Sequence, residues 1–357
     1  EDLRYKKLLK RSSLFLMGTA ETSKEMVMGA REYQPDAYLT KPINRAVLEK
    51  RLSALISQRN TLMPINREID RENYPEAISL CLQMLPRQPR YKTWLMKTLG
   101  DLYFQLGDLA HALKTFDDVL AQRELSWARL GRCKVLLSNR SFDQAVDGLR
   151  ELIANHPDYM EAYDLLAEGF ERQGRPTQAQ QVLEKAIEHS PNALLRQKHL
   201  AQLAGSNQDL ETSSEAWQRT IELGTHSIHD NSEHYLALGQ ALSDLSEGNL
   251  EEEGKEKARE ALTVLKKMEK RFEAEEGISL RSQIVQCRVY AGQSQDKEAT
   301  EILERIRPKL DNAAALDAAT GLDYAKTLFR LGHESDAKAL LRAVSYTHLT
   351  LPTNREV

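Results

Sequence analysis

Five residues within nine positions, His226, His229, Asp230, Glu233 and His234, form the one dense cluster of metal-capable side chains in the sequence. Imidazole nitrogens and carboxylate oxygens are ligands for zinc. On a helix, His229 with Glu233 and Asp230 with His234 would stand one turn apart on a shared face. The spacing fixes no further ligands, however, and the cluster lies in a polar insertion from Thr225 to Ser232. No metal site is expected, and a metal-dependent enzyme is only a second alternative. No phosphate-binding glycine loop, dinucleotide fingerprint or nucleophile elbow occurs either. Cys81, Cys133 and Cys287 lie far apart without a CxxC pair, so neither a zinc site nor a disulfide framework is suggested. They are expected as small buried thiols of a reducing compartment. The chain is expected not to be an enzyme.

The elements around that cluster repeat. Ala145, Leu149, Leu152 and Pro157 recur 34 residues later as Ala179, Leu183, Ala186 and Pro191. Such self-similarity is what stacked helix pairs write into a sequence. Extending the pattern gives eight units over residues 59–343, with a small residue in each second helix at Ala77, Ala112, Ala145, Ala179, Ser213, Ala258, Ala299 and Ala337. The intervals are 35, 33, 34, 34, 45, 41 and 38. A small side chain is needed where paired helices approach closely. Leu99-Gly100, Tyr103, Gly107, Ala112 and Phe116 complete one copy, and Tyr163, Leu166-Ala167, Phe170, Gly174, Ala179 and Pro191 complete another. Glu251-Glu252-Glu253, Lys266-Lys267 and Lys270-Arg271 are expected as solvated faces of one charged helix pair.

This pattern resembles tetratricopeptide (TPR) repeats, which implies a mainly α-helical solenoid whose first helices line a groove for an extended segment or partner helix. Family positions that face such a groove correspond to Trp94, Lys97, Asp101 and Phe104 in the second unit and to Glu161, Asp164, Glu168 and Glu171 in the fourth. The lysine and asparagine set that clamps a C-terminal carboxylate in chaperone-binding members is missing. The acidic row predicts a partner segment carrying Lys or Arg. Trp94 and Trp127 suit either groove anchoring or packing between units.

Residues 1–58 read differently. Leu14 to Met17 suits a buried strand, Lys24 to Tyr33 a helix stopped by Pro35, and Ala37 to Thr40 a second strand. From Asn44 a helix follows, with Val47, Leu48, Leu52, Leu55 and Ile56 as its apolar stripe. Strand, helix, strand, helix implies a parallel sheet. Thr19-Ala20, with Tyr38, Lys41 and Pro42, resembles the back half of a bacterial response-regulator receiver domain, an α/β doubly wound (flavodoxin-like) fold.

That resemblance implies that Thr19 and Lys41 bind phosphoryl oxygens, that Tyr38 is the switch aromatic and that Pro42 follows a cis peptide bond. It also implies a cognate histidine kinase and, in an intact receiver only, Mg²⁺. The acceptor Asp and its acidic neighbours are absent here, and Gly18 replaces a bulkier apolar residue. Residues 1–58 are therefore expected as a truncated receiver that is not phosphorylatable and holds no cofactor. Lys6, Lys7, Lys10 and Arg11 are expected as a solvated helix end.

After Ala343 the repeat pattern ends. Residues 344–357, from Val344-Ser345-Tyr346 through Pro352-Thr353, resemble the translation of a sequencing-library adaptor and are expected not to be native sequence. Forty-nine Lys and Arg against 53 Asp and Glu leave a net charge of −4, which offers no basic field for nucleic acid. No apolar run is long enough to span a membrane. The combined expectation is a cytoplasmic two-component phosphorelay protein with a TPR output region. The alternative is a phosphorylation-independent TPR scaffold.

Overall fold

In seven of the eight helix pairs the turn between first and second helix is made the same way, and the local chemistry explains it; at Gly248 the N–H bonds the Gly292 carbonyl instead. The computed structural model describes residues 10, 11, 13–20, 35–273, 275, 277–310 and 317–349, with the side chains of Lys309 and of residues 344–349 left aside. The expected helix over Lys24–Tyr33, the Lys6 and Lys7 pair and residues 350–357 lie outside these. At the end of helix after helix, one residue takes positive φ: Glu72, Gly107, Arg140, Gly174, Gln208, Gly248, Ser294 and Gly332. Around Gly107, the Gly107 N–H bonds the Phe104 carbonyl at 3.0 Å and the Asp108 N–H bonds the Tyr103 carbonyl at 2.9 Å. That double closure satisfies carbonyls the helix leaves open. Asp108 then caps the next helix, its Oδ1 accepting from the His111 N–H at 3.2 Å. One turn thus ends a helix and starts its partner.

Glycine occupies only half of these positions. At the exposed Arg140, φ is 59° and the Ser141 N–H still closes onto the Leu136 carbonyl at 2.8 Å. A side chain in the left-handed region costs about 1 kcal/mol, partly offset by glycine's greater loss of chain entropy. Arg140→Gly is therefore expected to stabilise the protein by about 0.5 kcal/mol in urea unfolding, and a loss of stability would contradict this account of the turn.

The chain divides into two compact units, residues 1–196 and 197–357. The first opens with strands β1 (Leu16–Thr19) and β2 (Ala37–Thr40), paired in parallel with Leu16 opposite Ala37 and Thr19 opposite Thr40. β1 begins two residues later than the sequence suggests, and Leu14 instead lines a small cleft with Leu55, Leu62 and Trp94. Helix α1 (Arg45–Asp70) is capped by Asn44, whose Oδ1 accepts from the Ala46 N–H at 2.8 Å. It runs unbroken through the expected boundary at residues 58 and 59, with Pro64 in its interior. Its apolar stripe is only partly used: Leu48, Leu52 and Leu55 are half-buried, while Val47 and Ile56 are exposed. Arg59 of α1 donates to Asp36 Oδ1 at 2.6 Å, and Asp70 accepts from the Arg11 N–H at 2.9 Å, so α1 holds the strands' flanks.

The unit continues with α2 (Tyr74–Met84), α3 (Lys92–Gln105), α4 (Leu109–Leu120), α5 (Ser126–Ser138), α6 (Phe142–Asn155), α7 (Met160–Arg172) and α8 (Pro176–His189). Its core begins with Leu62, Ile65, Cys81, Leu95 and Leu99 between α1, α2 and α3. It continues around Phe116, whose ring fills the gap left by Gly100 of α3 and Gly131 of α5.

Helix α9 (Leu194–Ser206) crosses the division, and the second unit adds α10 (Leu210–Gly224), α11 (Ser232–Ser246), α12 (Glu252–Arg271), α13 (Ile278–Gly292), α14 (Asp296–Leu310), α15 (Ala318–Arg330) and α16 (Glu334–Leu349). Ile284, Cys287, Ile306, Leu310 and Leu328 centre its far core. All eight small residues at the repeat positions are buried, each in a second helix. Ser213 manages this with its hydroxyl donated to the Ala201 carbonyl at 2.8 Å.

Two details depart from the sequence reading. The acidic and basic clusters expected on a helix pair share the single helix α12 or flank its start, with Glu252 and Glu253 in its first turn and Lys270 and Arg271 in its last. That order matches the helix dipole. The helical backbone of α16 runs to Leu349, past the point where the repeat pattern fails. The three cysteines are free and buried, and desolvation pushes the thiols of Cys81 and Cys287 up to about 12 and that of Cys133 to about 11.

Candidate protein-interaction surface

On the first-helix side of the first unit, α1, α3 and α5 enclose a cleft of about 470 Å³. Ala54, Leu55 and Gln58 come from α1, Thr93, Trp94 and Lys97 from α3, and Trp127 from α5, with Arg90 and Tyr91 at the rim. The two tryptophans that the sequence left between anchoring and packing both pack, and both also line the cleft. Trp127 lies edge-on to Phe116 at 6.4 Å between centroids, and Trp94 packs on the core beneath α3. Of the other predicted groove residues of α3, Lys97 is exposed and lines the same cleft, whereas Phe104 is packed in the core cluster around Phe116. Asp101 is half-buried, and burial raises its carboxyl above the usual range against the pull of Lys97 and Lys134.

The acidic row of α7 is largely occupied within the molecule. Lys134 of α5 donates to Glu161 at 2.6 Å, and Arg172 pairs with Glu168 at 2.6 Å. Arg196 holds Asp164 with a two-pronged bond, Nε to Oδ1 at 2.7 Å and Nη2 to Oδ2 at 2.8 Å. Glu171 is half-buried at the helix end. Two of these partners lie 27 and 32 residues from their carboxylates, about one repeat away. The net field on this face is therefore weaker than a count of its acids implies.

Thr19 and Lys41 sit at the same end of the parallel strand pair. The Lys41 N–H donates to the Thr19 carbonyl at 2.7 Å, and the Lys41–Pro42 peptide is cis. Tyr38 is half-buried on β2 opposite Met17, with its carbonyl accepting from Arg51 at 3.3 Å.

The His226–His234 cluster is spread over separate contacts. Arg271 takes Asp230 and also donates to His226 Nδ1 at 3.2 Å, and Arg281 takes Glu233. Among the described residues no three or more His, Cys, Asp or Glu side chains converge as a metal site. His234 is buried, stacks on Trp217 at 5.5 Å and leaves Nε2 without a hydrogen-bond partner.

Burial, with Lys198 and His229 nearby, holds its pKa below the ordinary histidine value, against the opposing pull of Asp230 and Glu233. Charging it therefore favours the unfolded chain: its neutral form supports the fold above the unfolded pKa of about 6.5, and that support is lost as pH falls below it. His234→Gln is expected to flatten the drop in melting temperature between about pH 7.5 and 5.5. An unchanged slope would show that another group governs it.

Comparison with known proteins agrees with this architecture. A family model for the tetratricopeptide repeat matches residues 130–193. The C-terminal part of a TPR repeat-containing protein from Cytophaga hutchinsonii is similar in fold, with a TM-score of 0.52 over 78% of this chain and 99% of that one, at 15% identity. MamA 41-end from Desulfovibrio magneticus RS-1 is 23% identical, with a TM-score of 0.40 over 47% of this chain and 95% of that one. No curated protein matches. The fold is that of a tetratricopeptide-type helix-pair array, and the family match itself lies within residues 130–193. Among the described residues, no helix is long and apolar enough to cross a membrane.

Proposed function

We propose that the chain is a tetratricopeptide scaffold that binds another protein through the first-helix face of its first unit. The observation that carries this reading is the cleft in which Trp94 and Trp127 meet Leu55 and Lys97. Aromatic anchors in a pocket dominate binding energies, and a half-buried tryptophan on a rigid helix gives contact area with little entropy to lose. An apolar side chain of the partner seats between the tryptophans, and a Lys or Arg further along meets what remains of the acidic row. Cytoplasmic location and a partner that is neither nucleic acid nor membrane belong to the same proposal. The test is quantitative capture from cell extract followed by affinity measurement on the captured partner. Trp94→Ala is expected to weaken binding by about 30-fold without lowering helicity. Equal binding by Trp94→Ala and Trp127→Ala would remove this face from consideration.

A second reading follows from the shared strand end of Thr19 and Lys41. A hydroxyl and an ammonium there suit phosphoryl oxygens, and ligands of open parallel sheets bind at the strands' carboxyl ends. In this reading residues 1–58 are the back part of a receiver, and a histidine kinase regulates the scaffold. Incubating the protein that carries its native upstream sequence with acetyl phosphate tests it. Alkali-labile, hydroxylamine-sensitive phosphate is expected, and no incorporation would leave the scaffold reading alone.

A further inference from the structure

The second unit contains a larger cleft, of about 960 Å³, on the side of α11, α13 and α15, closed by α16. Its lining combines four cations, Arg288, Lys326, Arg330 and Lys338, with two carboxylates, Asp244 and Glu247. Glu247 is taken up by Arg330, and Lys338 pairs with Glu334 at 3.2 Å.

Arg288 is the unusual member. Its side chain is 2% exposed, yet its bonds are long: Nε to Ser243 Oγ at 3.5 Å and Nη1 to Asp323 Oδ1 at 3.4 Å. Nη2 makes no hydrogen bond, with Asp244 Oδ1 at 3.6 Å. A guanidinium has five N–H donors, and leaving them unmatched in a buried site is costly. The other oxygen of Asp323 is held by Gln240, so that carboxylate is divided between two donors. Beside this charge stand three exposed apolar side chains, Leu322, Phe329 and Leu341, at 48%, 58% and 43% exposure. A cation short of acceptors next to exposed apolar surface is complementary to an anion carried on an apolar segment.

We propose that this cleft binds a protein segment presenting a carboxylate side chain next to an apolar one. The carboxylate completes the bonding of Arg288 with Lys326 beside it, and the apolar group covers Phe329 and Leu322. The proposal rests on the array being a protein-binding scaffold, but it uses a cleft of the second unit and the opposite charge.

Fluorescence anisotropy on the full chain tests it, using a labelled peptide Ala-Leu-Glu-Leu-Ala blocked at both ends and its Gln and Lys analogues. The glutamate peptide is expected to bind about tenfold or more tightly than either analogue. Phe329→Ser, at an exposed position, and Arg288→Lys, which keeps the charge and loses the fork, should each weaken binding of the glutamate peptide by about tenfold. Phe329→Ser should melt like the wild type, so a folding defect at Arg288 cannot decide the outcome. Equal binding of the three peptides overturns the proposal, as does full competition by inorganic phosphate alone, which would make it a simple anion site. If the glutamate peptide fails to bind while a partner is still captured through Trp94, this inference falls and the scaffold stands. If the glutamate peptide binds while Trp94→Ala leaves capture unchanged, the first-unit face is the part that fails.

Discussion

Phe116→Ala is expected to lower the stability of the first unit by about 3–5 kcal/mol, the range for emptying a buried aromatic site. The reason is where the ring lies. An added Cβ at Gly100 would come within 2.6 Å of the ring, and one at Gly131 would overlap it as well, so glycines on α3 and α5 make room for it from both sides. Phe116 itself is 2% exposed and meets Trp127 edge-on. Truncation would leave a cavity bounded by backbone that cannot collapse far, because the glycines already bring the helices close.

Urea unfolding followed by tryptophan fluorescence reads this directly, since Trp127 is in contact with the ring. A cost below about 1 kcal/mol would show that α3, α4 and α5 relax around the gap. The converse test is Gly131→Ala. Alanine is the better helix former by about 1 kcal/mol, yet overpacking costs about 1–3 kcal/mol, so a net loss is expected. Combined with Phe116→Leu, that loss should shrink, the non-additivity expected of residues in contact.

The same triad shows what a sequence discloses. Gly100, Gly107, Ala112 and Phe116 stand at fixed offsets because each answers a local demand: close approach, a left-handed turn, or a ring between helices. Such demands leave one or two acceptable residue types, so eight small residues could be found with intervals stretching from 33 to 45. The turn itself was half hidden. Glu72, Arg140, Gln208 and Ser294 adopt the conformation that glycine takes elsewhere, since about 1 kcal/mol per turn is a tolerable cost in a long array.

Charge was harder to read. Glu161 and Asp164 read as an acidic row in sequence, and their cations Lys134 and Arg196 become neighbours only through stacking. In a repeat protein a residue about one period away is a spatial neighbour, so charges near that separation belong in the same count. The apolar stripe at Val47 and Ile56 failed for a related reason. Periodicity marks a face able to bury itself, yet among the described residues nothing covers Val47 and Ile56, which stay exposed.

The pair between Asp164 and Arg196 gives the second large effect, and its asymmetry is the informative part. The Arg196 side chain is 4% exposed, while that of Asp164 is 42% exposed. Asp164→Ala removes two charge-assisted bonds from a buried guanidinium and is expected to cost about 2–3 kcal/mol. Arg196→Met keeps most of the buried stem packed and leaves a carboxylate that water can reach, so about 1 kcal/mol is expected. Raising salt should close little of the gap, because the buried partner is poorly screened.

The two variants also separate stability from recognition. Arg196→Met uncovers a negative charge on the first-helix face and should tighten a lysine-bearing partner despite its lower stability. Asp164→Ala should do the reverse. Equal stability losses would mean that packing, not charge, holds Arg196 in place. Equal affinities would mean that the partner is read by Trp94 and Trp127 alone.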